Sequence, residues 1–221
     1  YGSDVDSEAN LQYHTPADVL PFGISAKVGY VPNVGDTTGG NDFKSTGGTN
    51  PVAATGNKAT MYKLSAAPID GLSLAASYYD SENSAAGTIQ ENENGSWGAK
   101  YAMGNFKVGY GKNYNAPAIA ADKNGAVTRY ETTSYGVEFA VNENLSLSVS
   151  EEKSEAFTNV AIAAGASSNT KTSVESEIQS IQAAYVVGGA TLGVAIVEAE
   201  DSDYTSGKEE KMSIFTIAMA F

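Results

Sequence analysis

Residues 97–114 read WGAKYAMGNFKVGYGKNY, and in them apolar side chains alternate with small or polar ones on either side of Gly104-Asn105. Successive side chains of a β-strand point to opposite faces, so an alternation with a period of two predicts a strand. The residues that share the apolar face of this stretch are Trp97, Ala99, Tyr101, Met103, Phe106, Val108 and Tyr110. Two such runs joined by a Gly-Asn pair are typical of a β-hairpin. The stretch therefore predicts a hairpin with one apolar and one polar face.

The same alternation recurs along the chain and predicts an all-β protein with about eleven strands. The predicted strands are Ala9–His14, Phe22–Val31, Lys58–Ala67, Gly71–Asp80, Gly95–Met103, Phe106–Tyr114, Arg129–Val141, Leu145–Lys153, Val174–Val187, Ala190–Glu200 and Glu210–Phe221. No helical segment is needed, and residues 1–221 are predicted to form a single β-barrel domain.

The connections between these strands alternate between short and long, which predicts an antiparallel up-and-down meander with its tight turns at one end. The turns expected at that end, together with Phe221, are Pro68–Gly71, Gly104-Asn105, Asn142–Asn144 and Gly188-Gly189. The long connections expected at the other end include residues 32–57, 154–173 and 201–209.

Composition excludes several classes of function. The 221 residues carry 13 Lys+Arg against 26 Asp+Glu, a formal net charge of −13, which disfavours a nucleic-acid partner. The absence of cysteine excludes a disulfide framework and a thiolate metal site. The single histidine, His14, disfavours a histidine-based catalytic pair or metal cluster.

The apolar face could fill the core of a soluble barrel or face lipid on the outside of a membrane barrel. Tyrosines lie on or near this face in several strands, at Tyr30, Tyr62, Tyr78, Tyr101, Tyr110, Tyr130 and Tyr135. Tyrosine favours the boundary between apolar and aqueous regions. Strands of about ten residues, aromatic residues near the ends of an apolar band, and one-sided long loops are typical of transmembrane β-barrels, which the sequence therefore predicts.

Four stretches, "IFTIAMAF", "GLSLAASYYD", "WGAKYAMGNFKVGYGKNY" and "NLQYHTP", resemble the trimeric general porins of the Gram-negative outer membrane, of the neisserial or proteobacterial type. The resemblance implies a sixteen-stranded homotrimeric barrel in contact with outer-membrane lipid and lipopolysaccharide. It further implies passive diffusion of small hydrophilic solutes and ions through a water-filled lumen. Aligning the last strands makes the chain the carboxy-terminal two-thirds of such a barrel, without its first five strands and its pore-constricting third loop.

Two alternatives remain open from the residues. An odd count of about eleven strands is unusual for a bacterial single-chain barrel. The chain could therefore also be a complete smaller barrel of ten or twelve strands. The composition, rich in Gly, Asn, Ser and Thr, is also compatible with a surface-exposed or secreted β-rich adhesin or binding module without transport activity.

If the apolar face is outside, the opposite face lines the pore. The residues predicted to point into the lumen are Asn10, Gln12, His14, Lys27, Lys63, Lys100, Lys107 and Glu138. Four lysines on this face would raise the local anion concentration.

The last strand carries a second predicted function. By resemblance to outer-membrane barrels, the alternating residues Phe215, Ile217, Met219 and Phe221 form a signal for the barrel-assembly machinery and then face lipid or a neighbouring subunit.

No enzymatic activity and no cofactor are predicted. Glu151-Glu152 and Glu209-Glu210 are adjacent in sequence, so on a strand the two carboxylates of each pair point to opposite faces and cannot work as an acid and a base. The stretches Asp122–Gly125 and Asp201–Asp203 resemble fragments of calcium loops but lack a full set of ligands. A loosely bound divalent cation such as calcium at acidic outer loops is the remaining expectation.

Overall fold

The computed structural model describes residues 10–16, 19–32, 58–82, 88–120, 127–162 and 166–219. Its strands are β1 Leu11–His14, β2 Ser25–Val31, β3 Ala59–Ala66, β4 Leu72–Ser81, β5 Thr88–Gln90, β6 Asn92–Met103, β7 Phe106–Ala116, β8 Ile119–Ala120, β9 Val127–Ala140, β10 Leu145–Ile162, β11 Ala166–Val187, β12 Ala190–Glu200 and β13 Glu210–Met219. Two short 3-10 turns, Pro21–Gly23 and Ser202–Tyr204, complete the elements. Within the described ranges no helix is both long and apolar enough to cross a membrane.

Eleven strands form one sheet in the order β1-β2-β3-β4-β6-β7-β9-β10-β11-β12-β13, and the short strands β5 and β8 pair separately. Each strand of the large sheet lies antiparallel to the next one along the chain. This arrangement confirms the predicted all-β, up-and-down fold of about eleven strands. The sheet is not closed within the described residues, where β1 pairs with β2 alone and β13 with β12 alone.

Antiparallel pairing places the short turns at one end of the sheet. The turns after β3, β6, β9 and β11 all belong to this end, as the alternation of connection lengths predicts. The end of β13 lies there too, because Met219 is in register with Ala190, the first residue of β12. Phe221 lies outside the described residues.

The predicted long loop at residues 154–173 is wrong for the most part. β10 continues to Ile162 and β11 begins at Ala166, so the two strands form a long hairpin. The ladder runs from Leu145 opposite Tyr185 to Ile162 opposite Ala166, with an irregularity between Glu155 and Phe157. Backbone hydrogen bonds hold an antiparallel ladder whatever the side chains, so a segment rich in Ser, Thr, Asn and Ala can extend it.

The register shows that the strands are tilted relative to the axis of the barrel that such a sheet would form. A row of cross-strand partners runs from Leu72, the first residue of β4, to Ile196 in β12, six strands further on. Ile196 lies six residues after Ala190, where β12 begins, so the row shifts by one residue per strand. With a rise of about 3.3 Å per residue and a spacing of about 4.8 Å between strands, this shift corresponds to a tilt of about 35°. Strands of outer-membrane barrels have tilts of about 35–45°.

One face of the sheet exposes large apolar side chains that no second layer covers. Trp97 is 51% exposed and Phe215 is 68% exposed. We call this face, which carries Trp97 and the residues in register with it, the outer face, and the opposite one the inner face. A water-soluble protein rarely exposes a continuous apolar surface of this kind. A buried cluster of Val31, Ala59, Met61 and Tyr79 lies instead on the inner face of β2, β3 and β4.

Candidate pore wall

The inner face is small and polar across the centre of the sheet. A cavity of about 940 Å³ lies against it, with Ser73, Gly98, Gly111, Ser134 and Ser150 in its lining. Glycines oppose each other on neighbouring strands here, Gly98 with Gly111 and Gly109 with Gly136, so this part of the wall carries no side chains. The inner face is therefore the concave side of the sheet, and it has room for water and solutes.

Serine and threonine hydroxyls on this face bond to each other across the strands. The Oγ atoms of Ser77 and Ser96 are 2.8 Å apart. Those of Thr132 and Ser154 are 3.0 Å apart. Such polar pairs suit a wall in contact with water, because the same hydroxyls can also exchange hydrogen bonds with the solvent.

The register places seven of the residues predicted to point into the lumen, Gln12 to Glu138, on the inner face. The register places His14 opposite Lys27, and Lys27 opposite Lys63, so three basic residues form a row across β1, β2 and β3. The His14 ring also lies within hydrogen-bonding distance of Gln12, with 2.9 Å between Nε2 and Oε1. Asn10 precedes β1 and lies two residues from Gln12.

Lys100, Lys107 and Glu138 form a second charged group, nearer the turn end of the sheet. A cavity of about 510 Å³ is lined by all three. Lys107 and Glu138 are cross-strand partners and form an ion pair, with 2.8 Å between Nζ and Oε1. The raised anion concentration expected from four inward lysines stays a prediction, and Glu138 offsets part of the charge that Lys107 brings to it.

Glu152 is an inner-face residue that the sequence reasoning did not place in the lumen. It lies opposite Ser134 on β9 and Ile178 on β11, and it also lines the larger cavity. The sequence does indicate this face, because Ser146, Ser148 and Ser150 precede Glu152 at a spacing of two. A carboxylate at this position adds negative charge to the centre of the wall.

The sequence predicted a long connection between β12 and β13 but did not reveal its path. Its residue Tyr204 places its hydroxyl 2.8 Å from Ser154 Oγ on β10. The Tyr204 ring also packs on Tyr130 of β9, with 5.6 Å between ring centroids. Both partners are inner-face residues, so the sequence-based placement of Tyr130 on or near the apolar face is wrong. The connection therefore folds back over the wall instead of extending away from it.

The calcium expectation remains untested. In the part of the chain that the structure describes, no group of three or more His, Asp or Glu side chains could hold a metal ion. Asp203 forms an ion pair with Lys208, and Asp201 Oδ1 accepts a hydrogen bond of 2.7 Å from the Gly207 amide. The stretch Asp122–Gly125 lies outside the described residues.

The three described residues of the predicted assembly signal lie on the outer face. Phe215 and Ile217 are in register with Val194 and Leu192 of β12, and Met219 continues the same row towards the turn end. All three side chains are exposed. Charged side chains appear on this face farther from the turns, where Lys153 Nζ lies 3.1 Å from Glu151 and 2.8 Å from Glu177. The outer face thus has an apolar band that ends in a charged boundary.

No protein-family model and no curated protein matches the sequence. Among solved structures, the chain is similar to OmpT in its trimer form, an outer membrane protein of Vibrio cholerae. The TM-score is 0.53 at 11% identity, over 94% of this chain and 61% of that one. A structure described as a porin has a TM-score of 0.48 at 16% identity, over 88% of this chain and 69% of that one. The first likeness shows the fold. The Vibrio cholerae protein is described as an outer membrane protein, which agrees with the location predicted from the sequence of this chain.

Proposed function

We propose that the chain forms the wall of a water-filled β-barrel in the bacterial outer membrane, through which small hydrophilic solutes and ions diffuse passively. The observation that carries this proposal is the contrast between the two faces. The outer face exposes apolar side chains such as Trp97 and Phe215, which lipid would cover. The inner face carries serines, glycines and charged residues next to open space, as a wetted pore wall does.

A barrel of this kind needs further strands from outside the described residues. Neighbouring strands are antiparallel, so β1 and β13, the first and the eleventh of the sheet, run in the same direction. An all-antiparallel closure therefore requires an odd number of additional strands. Five would give the sixteen of the general porins and one would give a barrel of twelve. Lipid offers no hydrogen bonds to the open edges, so closure is a condition for function in the membrane.

A homotrimer is part of this proposal. Support comes from the similar Vibrio cholerae protein, which is described in a trimer form. The outer face also combines small residues with larger ones, such as Ala183 beside Val194 and Ile181, and these would let two barrel walls approach closely. Two further proposals rest on the family resemblance alone. The barrel contacts lipopolysaccharide, and the assembly machinery recognises the β13 residues.

The experiment is reconstitution of the whole protein into planar lipid bilayers and into sugar-loaded liposomes. We expect stepwise, ohmic conductance and liposome swelling with small sugars but not with large ones. Heat-denatured protein provides the control. Protein that inserts as a folded barrel but neither conducts nor admits sugars contradicts the porin function.

The adhesin alternative predicts different extraction behaviour. A lipid-facing barrel leaves the membrane only in detergent, because its exposed apolar band has no partner in water. Protein that stays soluble and monodisperse without detergent would support a binding module instead. The predicted lack of enzymatic activity is a separate expectation, and it is checked by incubating the reconstituted protein with peptide and lipid ester substrates.

A further inference from the structure

The connection from Asp201 to Glu209 reaches across the inner face of the sheet, and we call it the strap. It begins after Glu200, whose register partner is Glu177 on β11. From there it passes β11 and makes its side-chain contacts with the next two strands, through Ser154 on β10 and Tyr130 on β9. The strap therefore covers part of the wall near the end of the sheet that carries the long connections.

The strap has an internal structure that presents Tyr204 to the wall. Three backbone hydrogen bonds close it, from Ser202 N to Lys208 O at 2.9 Å, from Thr205 N to Ser202 O at 3.2 Å and from Lys208 N to Thr205 O at 3.1 Å. Asp201, Asp203 and Tyr204 have φ values of 49°, 55° and 56°, in the left-handed region that residues other than glycine rarely adopt. Such conformations persist only where the surroundings hold them in place. Here the surroundings include the contacts of Tyr204 with Ser154 and Tyr130.

The strap also carries charges to the mouth of the proposed pore. Lys208 forms ion pairs with Asp203 and, at 3.0 Å, with Glu210 at the start of β13. Glu152 lies on the inner face of β10, two residues from Ser154. A solute that enters from this end would pass the Asp203 and Glu210 carboxylates and the Lys208 ammonium group before it reaches Glu152 on the wall.

We propose that the strap is a size and charge filter at the outer mouth of the pore, held against the wall by Tyr204. This inference rests on the proposed porin function and adds an element that sets which solutes pass. The Tyr204 hydroxyl and ring are positioning groups, because they act by fixing the strap rather than by touching a permeating solute.

A change at Tyr204 tests the filter by its effect on permeation in the whole protein. We expect Tyr204→Ala to raise the single-channel conductance and the size of the largest sugar that enters liposomes, since the strap loses both wall contacts. Tyr204→Phe keeps the ring and should give a smaller change. Tyr185→Ala removes a tyrosine from the outer face and is the matched control, which should leave both properties unchanged. Equal permeation by Tyr204→Ala and the unaltered protein would overturn the inference.

A labelling experiment locates the strap without any permeation readout. The chain contains no cysteine, so Ser176→Cys introduces one thiol, on the inner face of β11 opposite Ser154. We expect a water-soluble maleimide to label it slowly in the otherwise unaltered protein and fast when Tyr204→Ala is added. Gln182→Cys, exposed on the same face nearer the turns, is the control that should label fast in both. Absence of conductance in the unaltered protein removes the porin function, whereas equal labelling of Ser176→Cys in both backgrounds removes the strap.

Discussion

Lys107 and Glu138 face each other across β7 and β9 on the inner face, with 2.8 Å between Nζ and Oε1. Their side chains are 63% and 42% exposed, so solvent screens the pair and its contribution to stability should be about 0–1 kcal/mol. The pair matters for the electrostatic potential of the proposed pore, because the carboxylate of Glu138 offsets the ammonium charge of Lys107.

Removing that carboxylate should make the pore more selective for anions. Glu138→Gln keeps the size of the side chain and leaves the charge of Lys107 without its counter-charge, so we expect the reversal potential in a salt gradient to shift towards that of the anion. Glu198→Gln is the matched control, because Glu198 also pairs with a cross-strand lysine, Lys211, but on the outer face. An equal shift in the two variants would contradict the assignment of the faces.

The basic row of His14, Lys27 and Lys63 should act in the opposite direction. Lys63→Gln removes one positive charge from the β3 end of the row, so we expect a lower ratio of anion to cation permeability. Lys211→Gln removes the same charge from the outer face and serves as the comparison. The difference should fall as salt is raised, since screening shortens the reach of surface charges. A Lys63→Gln variant with unchanged selectivity at low salt would exclude the row from the pore.

The strap predicts a conductance that rises at alkaline pH. Burial raises the pKa of Tyr204 above its ordinary value of 10.0, Tyr130 and Glu152 act in the same direction, and the hydrogen bond with Ser154 acts against them. The neutral phenol of Tyr204 therefore keeps the strap docked on the wall below about pH 10. The docking is lost as the pH rises through the higher pKa that Tyr204 has in the docked state. We expect conductance to stay constant around neutrality and to increase above about pH 10.

Tyr204→Phe separates this effect from the titration of the lysine in the strap. Asp203 and Glu210 raise the pKa of Lys208, which also loses its proton in the alkaline range. The phenylalanine variant keeps Lys208 and should show no alkaline step. A step of the same size in both proteins would assign it to Lys208 or to the wall instead of Tyr204.

The turns allow a prediction of stability. Gly71 has φ of +77°, and a Cβ there would lie 2.3 Å from the carbonyl oxygen of Ala102. Gly104 has φ of +58°, but a Cβ there would meet nothing within 4 Å. Gly104→Ala should therefore lose about 1–2 kcal/mol from the left-handed backbone alone, and Gly71→Ala more than that. Urea unfolding of the lipid-reconstituted protein measures the free energy of unfolding of both variants. Equal losses would mean that the β3–β4 turn shifts to accommodate the added Cβ at no cost.

The orientation in the membrane can be checked by labelling intact cells. Asn105 lies in a short turn, whereas Ala118 follows β7 at the opposite end of the sheet. The proposed orientation puts the long connections outside the cell, so an impermeant maleimide should label Ala118→Cys and not Asn105→Cys. Both thiols should react after the cells are lysed. The reverse labelling pattern would show that the barrel has the opposite orientation in the membrane.

The sequence alone determined the strands and their faces. Alternation with a period of two is a local property, so Trp97 and Tyr101 indicate an outer face, and Lys100 an inner one, without knowledge of any neighbouring strand. The same holds for Phe215, Ile217 and Met219, whose shared outer face follows from their spacing. Connection lengths add the meander, because a short turn can join only antiparallel neighbours.

Tertiary structure decided what depends on register and on contacts between distant segments. Lys107 meets Glu138 only because β7 pairs with β9 in one particular register across 31 residues of chain. The hairpin of β10 and β11 extends into residues whose composition is typical of a loop, since its ladder is held by backbone groups that all residues share. Tyr204 reaches Ser154 across 50 residues because the strap folds back over the wall, and no spacing in the sequence encodes that path.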